Sequence, residues 1–195
     1  MNEKTNTDLG WRFLLNWFPD SHRSFVLKQL SLQFELNVKN FVEVGVFHGI
    51  NTLFLKDLFP ETHFYLIDPW EINSDYIKDE AVPVTTDANK MNNAYSFIVS
   101  QYEKNPNFTI LKTKSVEGAK LVPDDLDIVF IDGNHSYDSV KEDIITWLPK
   151  VRKNGILAGH DYKDNFPGVK KAVDEIFDKN VILRGDNTWA IQITD

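Results

Sequence analysis

The chain of 195 residues has no cysteine, which excludes disulfide staples, zinc–thiolate knuckles and thiol catalysis. That absence agrees with a reducing compartment, and a cytoplasmic location is expected. Glycine (9) and proline (8) are too scarce for a fibrous or disordered chain. No apolar run reaches the ~18 residues of a membrane span, and the opening "MNEKTNTDLG" is too polar for a signal peptide. Positive charge is also short: 21 Lys and Arg face 29 Asp and Glu, a net −8. Neither nucleic acid nor a membrane surface is therefore expected as a partner.

What is present is core material: 42% hydrophobic residues, with 14 Phe, 6 Tyr and 5 Trp. One globular domain is expected, with residues 1–38 as an N-terminal helical cap on a domain over 39–195. Apolar residues recur at helical spacing through Trp11, Leu14, Leu15 and Phe18, and again through Phe25, Val26, Leu30 and Phe34. Two helices broken at Pro19 follow, the second capped by Asp20-Ser21. Their aromatic faces suit a core edge or a homodimer surface.

From residue 41 short apolar runs alternate with helical patterns. "FVEVGV", "HFYLID", "NFTIL", "LDIVFID" and "GILAGHD" are followed by helical stretches over 50–59, 87–103, 115–121, 136–150 and 167–178. This is the signature of βαβ units, hence a doubly wound parallel sheet with helices on both faces. "NVILR" and "TWAIQIT" flank "GDN" and read as a closing hairpin. Seven strands are expected, the last antiparallel to the rest. The one long irregular stretch, residues 70–93, follows the second strand at the ligand-binding end of such sheets.

In this architecture the first βα turn meets the ligand, and Gly45 and Gly49 would let it approach the backbone closely. Glu43 precedes the turn, and Asp68 ends the second strand, where a carboxylate can accept ribose hydroxyls. Glu43 favours a ligand bearing an amino group and repels a pyrophosphate. A cationic nucleoside therefore suits the pocket better than NAD. The bland readings are a strand-end ion pair for Glu43 and a turn residue for Asp68.

"VEVGVFHGINT", "LIDPW", "VFIDGNHSYDSVKEDIITWLPKVRKNGILAGHDY" and "FPGVKKAVDEIF" together resemble a class I S-adenosylmethionine-dependent methyltransferase, more narrowly the branch called methyltransferase family 24. The resemblance spans residues 40–195 and implies a Rossmann-like sheet. It implies that Glu43, Gly45 and Gly49 line the methionine part of S-adenosylmethionine, with Glu43 on its amino group directly or through water. Asp68 would hold the ribose. Trp70 either covers the adenine or packs under the loop, and Ser115 either stands beside the adenine or caps the helix it opens. Asp132 belongs to the same cofactor-binding set. Many methyltransferases carry a third glycine where this chain has Phe47, so a shorter two-glycine loop is expected.

The ends of the fourth and fifth strands should gather Asp132, His135, His160 and Asp161 at one sheet edge. Methyl transfer to oxygen needs in-line attack and loss of the hydroxyl proton. One route makes His135 or His160 the general base, with Asp132 beside them. The other is implied by similarity to metal-dependent O-methyltransferases: Asp132, His160 and Asp161 would hold Mg or Mn and lower the pKa of the bound hydroxyl. The imidazole of His160 fits magnesium poorly. The expected acceptor is a small polar hydroxylated molecule, a sugar or natural product, capped by a loop carrying Asp75, Tyr76, Asp79 and Asp87. Competing classes are an NAD-linked oxidoreductase, which lacks its G-x-G-x-x-G turn here, a metal-dependent hydrolase or hydroxylase-like relative, and a non-catalytic binding protein.

Overall fold

A computed structural model describes residues 22–72 and 87–194. The expected helix over Trp11–Phe18, the Asp20-Ser21 cap, a dimer surface there, and Asp75, Tyr76 and Asp79 lie outside the described residues. The remaining elements are α1 (Arg23–Gln33), β1 (Asn40–Val44), α2 (Ile50–Leu58), β2 (His63–Asp68), α3 (Ala88–Tyr102), β3 (Phe108–Lys112) and α4 (Ser115–Ala119). They continue with β4 (Leu126–Ile131), α5 (Tyr137–Trp147), β5 (Val151–Gly159), α6 (Pro167–Phe177), β6 (Ile182–Leu183) and β7 (Trp189–Gln192). The seven strands run in the order β3-β2-β1-β4-β5-β7-β6. All neighbours pair in parallel except β7, which is antiparallel to β5 and β6.

Strand parity sorts the apolar residues into two cores. Phe41, Phe64, Leu66, Ile128, Phe130 and Ile156 face α1, α2 and α3, where Val26, Leu30, Leu55 and Ile98 meet them. Val42, Val44, Ile67, Val129, Ile131 and Leu157 face the opposite layer with Ile144, Trp147, Val173 and Trp189. Strands buried on both faces need near-continuous apolar runs, which is why these segments are legible as strands.

Four local details differ from expectation. The described N-cap of α1 is His22, whose Nδ1 accepts from the Ser24 amide at 3.3 Å. The helix over 136–150 stops at Trp147 and tightens into a 3₁₀ turn over Leu148–Lys150, because Pro149 has no amide to donate. Strand β5 then starts at Val151, four residues earlier than "GILAGHD", and absorbs the extra length as a register shift against Leu126 and Ile128. Asp87, expected to face an acceptor, caps α3 by accepting from the Asn89 amide at 2.9 Å. Among the described residues no helix is long and apolar enough to cross a membrane.

The sheet order reverses between β1 and β4, which opens a crevice at their carboxyl ends. Val44 pairs with Ile131 there, so the turns after β1 and β4 leave the sheet side by side.

Candidate active site at the β1–β4 switch point

Glu43 occupies a core position of β1, between Leu66 and Phe130, and is only 1% exposed. Its parity turns it towards α2, which supplies two donors: Asn51 Nδ2 reaches Oε1 at 3.0 Å and the Thr52 hydroxyl reaches Oε2 at 2.5 Å. Burial pushes the Glu43 carboxyl up to about 7, although Thr52, Asn51 and the nearby Arg23 all pull it down.

The loop after β1 carries three left-handed residues, with φ of 86° at Gly45, 47° at Phe47 and 70° at Gly49. A Cβ on Gly45 would lie 2.1 Å from the Asp132 carbonyl oxygen, so only glycine lets the two strand ends approach. Phe47 stands between the two glycines, where many methyltransferases carry a third. It takes the left-handed conformation itself, at the steric cost such a residue carries. Its amide donates to Asp68 Oδ2 at 2.9 Å and its carbonyl accepts from Trp70 Nε1 at 2.9 Å.

Asp68 also accepts from the Trp70 amide at 2.6 Å. Burial raises its pKa, while the backbone amides of Phe47, Trp70 and Val46 oppose that rise. A carboxylate has about four acceptor positions, so these amides fix Asp68 and leave capacity for a hydroxyl. Trp70 is 2% exposed and packs against Tyr95 of α3 at a ring distance of 5.0 Å. Ser115 opens α4, but the N-cap position is Lys114; the Ser115 hydroxyl instead accepts from Trp147 Nε1 at 2.8 Å.

Two cavities meet at Gly45. One, about 430 Å³, runs past Asp68, Lys114, Ser115, Asn134 and Asp143. The other, about 320 Å³, is bounded by His22, Arg23, Glu43, His48, Asn51 and Asp132. Sequence reasoning missed His22 and Arg23 as members of this site. Arg23 Nη1 donates to Asp132 Oδ2 across 109 residues of chain, a contact that no local spacing announces.

The ends of β4 and β5 do converge. His135 Nε2 lies 2.8 Å from Asp161 Oδ2, and its ring stacks on Phe166 at 4.4 Å. His160 Nδ1 stands 3.3 Å from Asp161 Oδ1 and 3.8 Å from Asp132 Oδ1, and Lys163 Nζ is 2.9 Å from Asp161 Oδ1. Burial alone would raise the Asp161 pKa, but His135, His160 and Lys163 outweigh it and hold the carboxyl well below the carboxylate range. Donor atoms of Asp132, His135 and Asp161 lie within 4.8 Å of one another, a set that could hold a metal ion. That set differs from the expected one by having His135 in place of His160. Two oxygens and one imidazole nitrogen suit a transition ion better than magnesium. Asp132 alone of the three lines the cavity beside Glu43.

The family model Methyltransf_24, a methyltransferase domain, matches residues 42–162. Uncharacterized protein R132 of Acanthamoeba polyphaga mimivirus is 27% identical over 155 residues, 77% of this chain, which spans 65% of that relative's length. Among solved structures, the O-methyltransferase NovP aligns with a TM-score of 0.64 at 17% identity, covering 89% of this chain and 80% of NovP. The S-adenosylhomocysteine-bound methyltransferase PaMTH1 of Podospora anserina aligns with a TM-score of 0.62 at 14% identity, covering 98% and 89%. At these identities the two structures share the fold. The family match covers the turn after β1, the end of β2 and the paired ends of β4 and β5, and the chain belongs to the methyltransferase-domain family.

Proposed function

We propose that the protein transfers a methyl group from S-adenosylmethionine to a hydroxyl of a small polar acceptor, sugars and natural products included. The observation that carries this reading is the pair of cavities joined at Gly45, one holding a ribose acid, Asp68, and the other a buried carboxyl, Glu43. S-adenosylmethionine would be held with its nucleoside in the first cavity and its amino acid in the second, and would supply the methyl group. PaMTH1, which shares the fold, binds the demethylated form of this cofactor.

Asp132, Arg23 and His22 line the second cavity, where they would flank the methyl group of a bound cofactor. Asp132 receives the acceptor hydroxyl's hydrogen bond and orients its oxygen for in-line attack. His160 and His135 lie behind it as imidazoles that can take the proton. His22 is a poorer base, because its Nδ1 is engaged by Ser24 and burial, before the neighbouring Arg23 charge, lowers its pKa. Should a divalent ion bind, Asp132, His135 and Asp161 would hold it and it would lower the pKa of a hydroxyl there.

Calorimetric titration with S-adenosylmethionine and with NAD, each with and without manganese, tests the cofactor. Binding of the sulfonium ligand alone is expected; binding of NAD alone would overturn the reading. Asp68→Ala should weaken that binding about tenfold or more by removing the ribose acceptor. Asp132→Ala and His135→Ala should keep affinity and lower methyl transfer from labelled cofactor by about 10²-fold, the usual worth of acid–base assistance. Unchanged turnover in both would remove the catalytic assignment.

A further inference from the structure

A divalent ion at the paired ends of β4 and β5 would need the carboxylates of Asp132 and Asp161, and cations of the chain already hold both. Arg23 Nη1 donates to Asp132 Oδ2, and Lys163 Nζ stands 2.9 Å from Asp161 Oδ1. The second oxygen of Asp161 lies 2.8 Å from His135 Nε2. Formal charges close within this group: two carboxylates balance one guanidinium and one ammonium, with the imidazoles neutral. A divalent ion added to it would leave two positive charges unmatched. The Asp132 and Asp161 side chains are only 11% and 13% exposed, so water screens that excess poorly. An ion therefore binds here only by driving out a resident cation.

The two cations differ in how easily they leave. Lys163 follows the end of β5, its side chain 35% exposed, on a flexible stem whose head returns readily to water. Arg23 is fixed by the first turn of α1, lies 109 positions from Asp132, and lines the cavity that holds Glu43. Its guanidinium is charged at any working pH and presents five donors in a rigid fork, of which Asp132 takes one. We infer that Arg23 is the resident cation of this site, standing at Asp132 in the place a divalent ion would take. Its consequence for the reaction rests on the O-methyl transfer proposed above. As the hydroxyl proton passes to His160 or His135, a guanidinium donor beside Asp132 stabilises the charge left on oxygen. That is the work a metal performs in the alternative route.

The test titrates manganese into the metal-free full chain, without cofactor, and follows the free ion by electron paramagnetic resonance. Wild type should bind it with a dissociation constant above about 100 μM, and tighter binding would overturn the inference without any variant. Arg23→Gln frees Asp132 of its charge partner and should bind manganese at least about tenfold more tightly, whereas Arg23→Lys, which keeps the charge, should stay within about threefold of wild type. The gain should vanish in the double variant Arg23→Gln/Asp132→Asn, with melting temperature as the check on folding throughout. Unchanged affinity in folded Arg23→Gln, or a gain that survives loss of the Asp132 carboxylate, would overturn the inference too. No arm of this test needs S-adenosylmethionine. Failure of that ligand to bind in the calorimetric titration would instead overturn the cofactor reading, and the manganese result would still judge Arg23.

Discussion

At the scale of single residues, Glu43 links folding to ligand. Its carboxyl has an ordinary value of 4.5 and is raised to about 7 by burial in the folded chain. Between those values the folded state keeps a proton that the unfolded state has released. Stability therefore falls as pH rises through that window, by on the order of 3 kcal/mol in total. Glu43→Gln removes the titration, so the variant should gain on the wild type in melting temperature between pH 5 and pH 8. A constant difference across that range would show that Glu43 ionises without strain. On the proposed reading, the ammonium of a bound cofactor would favour the charged form. Affinity for S-adenosylhomocysteine should accordingly rise about tenfold from pH 5.5 to 7.5 in the wild type and much less in Glu43→Gln, measured by calorimetry. Glu43 and Asp68 are legible in the sequence because each interrupts an apolar run at its end. Arg23 is not: it reaches Asp132 only once α1 has docked on α2, and nothing in "SHRSF" distinguishes it from a solvated arginine.

Elements are placed by a second acid that sequence inspection passes over. Asp127, buried at the start of β4, accepts from the Lys39 and Asn40 amides at 2.7 and 2.8 Å and pairs with Arg152 Nε at 2.6 Å. One side chain thus ties the start of β1 to β4 and β5, and through them sets the heights at which Gly45, Asp132 and His160 leave the sheet. Asp127→Ala should cost roughly 2–4 kcal/mol in urea unfolding, since two amides lose their acceptor while the partly exposed arginine can rehydrate. A loss below about 1 kcal/mol would mean that water replaces the carboxylate at the amides. The order of strands and helices was readable because buried parallel strands are uniformly apolar and amphipathic helices separate them. Boundaries failed where backbone pairing decided them: "VRKNG" opens β5 although Arg152, Lys153 and Asn154 are polar, because Val151 pairs with Leu126. The donor cluster was half readable in the same way. The strand ends announced Asp132 and Asp161, and the donors that lie within 4.8 Å of one another include His135, whose ring stacks on Phe166.

For the molecule as a whole, two apolar layers share one sheet, so neither can unfold while the other stays packed. Cooperative unfolding of the described domain follows, and a ligand held at the β1–β4 crevice stabilises all of it. At a hundred times its dissociation constant such a ligand adds about 2.7 kcal/mol. For a domain of this size that corresponds to a rise in melting temperature of about 5–11 °C. S-adenosylmethionine and S-adenosylhomocysteine should each produce it in a thermal melt followed by circular dichroism. NAD should not, because its pyrophosphate would lie against Glu43 and Asp68 in a chain of net charge −8. A single transition moved by the sulfonium ligands alone supports one domain built around one cofactor crevice. Two transitions, of which only one moves, would mean that the two helix layers are energetically separate despite their common sheet, and that the crevice is anchored in just one of them.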